Sequence, residues 1–561
     1  MRVKIDQFFA AGWTSADPVS KTDQTPLSAS AAAEPFIQQS PETSTPARSI
    51  DYHEPLMMRL DRQVCSRARL TRDARFDGKF FIGVLSTGVY CRPICPARTA
   101  KEENVRYFPT AAAAAEAGFR PCLRCRPECS PGTPAWMGTP ATVSRALRLI
   151  HESGLEEGVD CLAGRLGVSA RHLRRLFLQH LGASPSAVAR TRRMQFAKKL
   201  IDETKLPMSQ IALASGFGCV RRFNADIRKS YHRTPTQIRR IAKHAAAQPD
   251  NDYRFRLRFR PPYNWPEMLA FLGARATPGV EVVDLGCYRR SISRNRIHGY
   301  FEASFDGASN SLSVRVQFAD PCGLFFIVER IRAMFDLNAD WTSIIRSLRG
   351  DPNLGEQLKR IPGLRVAGCW DGFELAVRAI LGQQITVKGA TSLAGRLVKA
   401  LGQRFSEAAG LTHLFPTPET LAEADLSSVG LTKARAETLR LLARAVCDGK
   451  IRFSGNSGSD NLLKRLKEIP GIGEWTAQYV AMRALGESDA FPASDLALLR
   501  TMNMNSPREL ERVSEAWRPW RAYAAMYLWS IFRQKRTIDP VFARNTKLNA
   551  PGNDVRPAFM D

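Results

Sequence analysis

The spacing of apolar residues changes character several times along the chain. From Tyr253 to Arg260 apolar and basic residues alternate strictly (Tyr-Arg-Phe-Arg-Leu-Arg-Phe-Arg), which predicts a strand with one apolar face. The arginines of that run read as its solvated side. Further strand-like runs lie at 280–285, 299–305 and 312–318, with helical spacing over 265–272 and 323–335. Residues 252–360 therefore read as an α+β subdomain. From 361 to 535 the spacing is almost entirely helical and predicts an all-α domain; its amphipathic stretch Phe373-Glu374-Leu375-Ala376-Val377-Arg378-Ala379-Ile380 is one example. Residues 140–245 are also helical. Residues 53–130 mix a strand at 80–84 with a short helix at 111–117, a small α/β domain. Residues 1–50 are rich in Ser, Thr, Ala, Pro and Gln without a sustained period, and read as a disordered leader. Residues 536–561 read as a frayed tail.

Composition narrows the partners. A chain of 561 residues is too long for one core, so several domains are expected. The formal net charge of +27 favours a polyanion, with nucleic acid ahead of an anionic membrane surface. No apolar run approaches the roughly 20 residues that span a bilayer. The start of the chain lacks the apolar core of a secretion signal, so a cytoplasmic, nucleoid-associated protein with no membrane partner is expected. There the 12 cysteines should be thiols or metal ligands.

The densest cysteine pattern is Cys91-Arg92-Pro93-Ile94-Cys95, followed 27 positions later by Cys122-Leu123-Arg124-Cys125. Two close pairs around a structured insert can close a thiolate tetrahedron on zinc. A purely structural knuckle satisfies that spacing too, and Cys129 falls outside the pairing. The surrounding residues, from Phe80-Phe81 through Thr87-Gly88-Val89-Tyr90 to Gly118-Phe119-Arg120-Pro121, resemble the zinc domain of the Ada adaptive-response proteins. The resemblance implies that Cys91 is both ligand and nucleophile, accepting a methyl group irreversibly from a methylphosphotriester in DNA. It makes Cys95, Cys122 and Cys125 ligands only. Arg92, Arg98, Arg120, Arg124 and Arg126 would hold the DNA backbone. Methylation would remove negative charge from the centre and tighten DNA binding.

A Pro/Gly-rich linker leads into a basic region with an internal repeat. Leu162-Ala163…Leu166-Gly167-Val168-Ser169 recurs as Ile211-Ala212…Ser215-Gly216-Phe217-Gly218, with the turn glycines 49 positions apart. Helix, glycine turn and basic second helix is the helix–turn–helix pattern. Two copies at this spacing resemble the AraC family of transcription activators. The recognition helices would cover about 170–179 and 220–229, presenting Arg171, Arg174, Arg175, Arg221, Arg222 and Asn224 to DNA. This resemblance implies promoter DNA and RNA polymerase as partners.

In the last domain, Pro470-Gly471-Ile472-Gly473 joins two helical segments, and Asp495 follows Gly473 by 22 positions. Glycines permit a tight turn and close approach of backbone N–H groups to phosphate, and the next helix begins there. An ordinary interhelical turn with a surface Asp reads the same way locally. Matches in order from Pro261-Pro262-Tyr263-Asn264-Trp265 to Trp517-Arg518-Pro519-Trp520-Arg521 resemble the AlkA family of helix–hairpin–helix DNA glycosylases. The resemblance assigns Gly471, Gly473 and Thr476 to the DNA backbone. It assigns Trp475, Tyr479 and Gln384 to the flipped base, and Asp495 to stabilising the oxocarbenium ion or orienting water. An alkylated purine is cationic and suits electron-rich rings.

Three absences refine the expectation. Trp475 stands where strand-cutting relatives carry a Schiff-base lysine, so a monofunctional glycosylase is expected. The last cysteine is Cys447, so no iron–sulfur cluster is expected after the hairpin. No Pro-Cys-His-Arg motif for O6-alkylguanine reversal is present. Two departures from AlkA stand out: Gln384 replaces the wedging Leu, and Asp495 follows Ser494 rather than a second carboxylate. The alternative reading is a DNA-binding transcription regulator with an inactive glycosylase-like module.

Overall fold

The structure is a computed structural model and describes residues 61–131, 141–153, 158–241, 251–408, 410–453 and 459–538. The expected leader lies outside the described residues, as does the tail beyond 538. The first module opens with helix α1 (Arg62–Leu70), N-capped by Asp61, whose carboxylate accepts from the Gln63 and Val64 N–H groups. A four-stranded sheet of order β3-β1-β2-β4 follows, made of β1 (Phe81–Val84), β2 (Val89–Cys91), β3 (Val105–Phe108) and β4 (Arg120–Pro121). Helix α2 (Ala111–Glu116) buries an unbroken alanine run against it.

Among the described residues the basic region holds seven helices: α3 (Ala141–Ser153), α4 (Gly158–Arg165), α5 (Ala170–Leu181), α6 (Pro185–Glu203), α7 (Met208–Ala214), α8 (Val220–Tyr231) and α9 (Pro235–Ile241). Gly167 at φ +69 turns α4 into α5, and Gly216 at φ +74 turns α7 into α8, which is why both copies of the repeat carry glycine there. Each second helix buries three residues four apart, Leu173, Phe177 and Leu181 in one copy and Phe223, Ile227 and Tyr231 in the other.

The α+β subdomain is a five-stranded antiparallel sheet of order β5-β9-β8-β7-β6. Its strands are β5 (Asp252–Arg258), β6 (Glu281–Asp284), β7 (Cys287–Arg294), β8 (Ile297–Asp306) and β9 (Ser311–Phe318), with α10 (Trp265–Gly273), α11 (Leu324–Met334), α12 (Trp341–Leu348) and α13 (Gly355–Arg360) beside them. The interior strand β7 escapes the sequence pattern because it buries polar residues. Arg290 is 2% exposed and pairs with Glu374 at 2.7 Å. The alternating arginines divide: Arg254 and Arg256 face solvent, but Arg260 is 1% exposed and its hydrogen bonds replace water, so it does not belong to a solvated face.

The last domain runs through α14 (Gly372–Leu381), α15 (Val387–Leu401), α16 (Pro418–Glu423), α17 (Lys433–Cys447), α18 (Ser459–Lys467), α19 (Glu474–Ala484), α20 (Leu496–Thr501), α21 (Pro507–Ser514) and α22 (Arg521–Ile538). A short hairpin of β10 (Arg404–Ala408) and β11 (Leu411–His413) interrupts the helices. The Thr412 and His413 N–H groups donate to the Gly279 carbonyl at 2.8 and 3.0 Å, strapping the hairpin to the sheet subdomain. Arg378 on α14 pairs with Glu281 on β6 at 2.8 Å, a second tie between the two.

The hydrophobic cores ignore the module borders. One unites the first sheet (Phe81, Tyr90, Phe108, Phe119) with the first helix–turn–helix copy (Leu147, Phe177, Leu181). Another unites the second copy (Phe223, Ile227, Tyr231) with the five-stranded sheet and the last helices. Helix α6 feeds both, with Ala187 and Val188 in the first and Met194 to Ile201 in the second.

Candidate functional site

Parallel pairing of β2 with β4 sets Tyr90 opposite Pro121 and brings the two cysteine pairs together. The Cys122 N–H donates to the Tyr90 carbonyl at 3.0 Å, so Cys122 follows the strand end where Cys91 sits. The sulfurs of Cys91, Cys95, Cys122 and Cys125 all lie within 4.8 Å of one another. A tetrahedron with Zn–S bonds of about 2.3 Å has edges of roughly 3.8 Å, so the quartet fits zinc with little adjustment. Cys125 is buried and the other three are half-buried. Cys129 stands outside the quartet.

Around it, Arg98 and Arg124 are exposed and Arg120 half-buried. Arg92 is not available to a DNA backbone. It is 2% exposed and paired with Asp77, and it donates to the Cys125 carbonyl at 3.0 Å. Once a guanidinium is buried and paired, exposing it to reach phosphate carries the cost of breaking a buried ion pair. Arg126 is likewise engaged, with Glu128 at 3.2 Å and Asp202 at 2.8 Å. Both arginines build the module.

On the helix–turn–helix pair, α5 exposes Arg171, Arg174 and Arg175, while α8 exposes Arg221, Arg222 and Asn224. These side chains lie opposite the buried rows at Leu173/Phe177 and Phe223/Ile227. Each second helix thus has a free basic face, the arrangement that a major groove receives.

In the last domain the turn between α18 and α19 is built for a glycine. Gly471 has φ +88, and a Cβ there would lie 2.3 Å from Thr438 Oγ1. The Thr438 hydroxyl donates to the Pro470 carbonyl at 2.9 Å, and Ile472 anchors the turn in the core at 5% exposure. Gly473 is the N-cap of α19, without a side-chain cap, and nothing lies within 4 Å of where its Cβ would be. The α19 N–H groups at that end are left for an anion. Thr476 does not face outward: it is 2% exposed, and its hydroxyl accepts from Gln383 Nε2 at 3.0 Å. Gln383 Nε2 also lies 2.9 Å from the Gly471 carbonyl, tying the α14–α15 loop to the hairpin. Gln384 is exposed on that loop with φ +58 and is not part of the aromatic cluster.

Asp495 caps α20, its Oδ1 accepting from the Ala497 and Leu498 N–H groups at 2.9 and 3.1 Å. The Trp529 indole donates to the same oxygen at 3.1 Å, and the Trp475 indole donates to Oδ2 at 2.8 Å. Four N–H donors from three elements therefore fix one half-buried carboxylate. Trp529, on α22, was not singled out from the sequence. It is one of four aromatics on its helix, 34 positions from Asp495, and no local pattern marks it.

Trp475 stacks on Tyr479 with centroids 5.2 Å apart and planes at 10°. The two rings thus cover each other. Tyr479 is 8% exposed and forms a second layer, while the half-buried Trp475 is the ring that a ligand can reach. Arg483 donates to the Tyr479 hydroxyl at 2.6 Å. Burial opposes ionisation of this phenol, but the guanidiniums of Arg483, Arg275 and Arg378 outweigh it and lower its pKa from the ordinary tyrosine value.

Four family descriptions match the chain in order. Residues 64–128 match the metal binding domain of Ada, and 162–241 a helix-turn-helix domain. Residues 254–371 match the AlkA N-terminal domain, and 377–519 the HhH-GPD superfamily of base excision DNA repair proteins. Fold and site together define a DNA-repair fusion: an Ada-type zinc module, a helix–turn–helix module and an AlkA-type DNA glycosylase.

A relative from Mycobacterium tuberculosis (strain ATCC 25618 / H37Rv), a probable bifunctional transcriptional activator/DNA repair enzyme AlkA, is 40% identical over 84% of this chain and 96% of its own length. The chain belongs to that family of bifunctional transcriptional activator/DNA repair enzymes. The DNA-3-methyladenine glycosylase 2 of Escherichia coli (strain K12) is 35% identical over 49% of this chain and 96% of its own length. The Ada protein of the same organism is 39% identical over 21% of this chain and 32% of its own length. Among the described residues no helix is long and apolar enough to cross a membrane.

Proposed function

We propose that the chain excises alkylated purines such as 3-methyladenine from duplex DNA and that Cys91 accepts methyl groups from methylphosphotriesters. The observation that carries the first reading is the Asp495 carboxylate, held by two backbone N–H groups and two indoles. A flipped purine rests against the exposed face of Trp475, whose ring attracts the positive charge of an alkylated base. The glycosidic electron pair leaves with the base as positive charge grows on C1′. Asp495 stabilises that charge, water adds its oxygen to C1′ and a proton passes to solvent. Trp475 offers no amine, so no Schiff base forms and the strand is left intact. The hairpin N–H groups hold the backbone while this happens.

At the other centre, Cys91, Cys95, Cys122 and Cys125 would hold zinc, which keeps sulfur as thiolate at neutral pH. The Cys91 sulfur attacks the methyl carbon of the triester. The C–O bond breaks with its electrons on oxygen, leaving an ordinary phosphodiester and an S-methyl group. Arg98, Arg120 and Arg124 face the backbone there. The exposed residues of α5 and α8 take promoter DNA, with RNA polymerase as the further partner of an activator.

Release of 3-methyladenine from methylated duplex, compared between wild type and Asp495→Asn, tests the enzyme. Wild-type protein that releases no base leaves only a DNA-binding regulator. Transfer of labelled methyl from methylphosphotriester DNA to wild-type but not Cys91→Ala protein tests the acceptor; label mapping to Cys122 or Cys125 overturns that assignment.

A further inference from the structure

The first module meets the glycosylase half through charged groups that have left water. Lys79 and Asp340, each 2% exposed, pair at 2.6 Å. Arg260 bridges the two parts: its Nε donates to the Asp77 carbonyl at 2.8 Å and its Nη1 to the Asn338 carbonyl at 2.7 Å. The Asp77 carboxylate holds the Arg92 guanidinium, which donates to the Cys125 carbonyl at 3.0 Å. The backbone N–H of Arg92 meets the Cys125 sulfur at 3.4 Å. There is no slack in this layer. A Cβ on Gly78 would lie 2.2 Å from the Pro131 carbonyl oxygen and 3.1 Å from the Arg260 guanidinium. The chain of contacts runs from a metal ligand to the N-terminus of α12 without leaving the buried region.

Buried charges are tolerable only while paired, and breaking one such pair is far more costly than losing a surface one. Undocking the module would strand Arg260 and Asp340 on the glycosylase side and Lys79 and the Asp77 carbonyl on the other. We infer that the four-cysteine site is a stabilising element of the glycosylase half. Metal held by Cys91, Cys95, Cys122 and Cys125 fixes the Arg92–Asp77 pair, and Arg260 with Lys79–Asp340 carries that order into residues 252–538. A ligand that binds only the folded form stabilises everything that folds cooperatively with its site. Loss of metal therefore weakens the repair enzyme as well as the methyl acceptor. This rests on zinc occupying the quartet.

The tryptophans provide the readout. Among the described residues all of them lie between Trp265 and Trp529, in the glycosylase half. The full chain carrying Trp13→Phe and Trp136→Phe is melted by tryptophan fluorescence with and without excess chelator, and released zinc is counted with a metal-sensitive dye. Chelation is expected to lower the midpoint by about 5 °C or more. In Lys79→Met/Asp340→Asn, which removes both charges while keeping an Asn cap on α12, and in Arg260→Met, zinc still binds but its removal shifts the midpoint by about 1 °C or less. Zinc release without a shift in the otherwise unchanged chain overturns the coupling, as does a full shift in the double variant. A chain that neither carries nor takes up zinc overturns the metal reading itself, and the dye count tells that failure apart.

Discussion

Replacing Asp495 with Asn exchanges one oxygen for an amino group. Oδ1 accepts the two cap N–H groups and the Trp529 indole, so Asn keeps its oxygen there and remains a good N-cap. The new amino group then faces the Trp475 indole N–H, which is 2.8 Å from Oδ2 in the native site. Two donors meet, and one hydrogen bond to a charged group, about 1.5–3 kcal/mol, is lost. The half-buried position softens that loss, and a fall of a few °C in melting temperature is expected. The effect on chemistry is larger. A unit negative charge about 4 Å from a developing cation, at an effective dielectric of about 20, contributes about 4 kcal/mol, or roughly a thousandfold in rate. Single-turnover release of 3-methyladenine from methylated duplex should therefore fall by about three orders of magnitude, while anisotropy shows duplex affinity within a few-fold. Base release within tenfold of wild type would refute the electrostatic role. A loss that simply tracks weaker DNA binding would make Asp495 a structural cap.

The two hairpin glycines should behave oppositely. Gly473→Ala has room in the free protein, so the melting temperature stays put while DNA affinity drops as the methyl blocks a phosphate; Gly471→Ala, at φ +88 and 2.3 Å from Thr438, lowers both. Burial pushes Asp336 up to about 6 from the ordinary 3.8, beside a cavity of about 160 Å³ and the Tyr523 hydroxyl at 2.7 Å. The folded state binds that proton more tightly than the unfolded state, so stability falls as pH rises between those values, by at most about 3 kcal/mol. Asp336→Asn should raise the melting temperature at pH 8 and make no difference near pH 4; Asn also suits the residue's φ of +50. Arg174→Ala on the exposed face of α5 should weaken DNA binding at low salt and reduce the salt slope of the affinity by about 1, as measured by titration at several ionic strengths.

What was legible in the sequence was local. The cysteine quartet could be read because each pair closes within one turn and only one strand pairing is needed to join them. The helix–turn–helix repeat was marked by glycines whose positive φ no other residue adopts as easily. Strands with one apolar face announced themselves by alternation, whereas β7 did not, since it buries Arg290 against carboxylates from other elements. Arg92 shows the reverse error. Its neighbours made it look like a phosphate ligand, but a carboxylate fifteen positions upstream takes its charge out of solvent.

The glycosylase site divides in the same way. Gly471, Gly473, Trp475 and Asp495 lie within one hairpin–helix–loop segment, where spacing alone left an ordinary turn open and the AlkA resemblance implied a phosphate clamp, a π surface and a carboxylate. That Trp529 supplies the fourth donor to Asp495, and that Gln383 ties its loop to the hairpin, were decided by packing between elements distant in the chain. The module order, the cysteine quartet and the glycine turns follow from side-chain chemistry at short range, and the sequence by itself determined them. Which charges remain in water, and which lock one module to another as Lys79, Asp340 and Arg260 do, depends on what folding brings against them. Only the tertiary structure decides that, because a charge is buried or exposed by its neighbours in space and not by its neighbours along the chain.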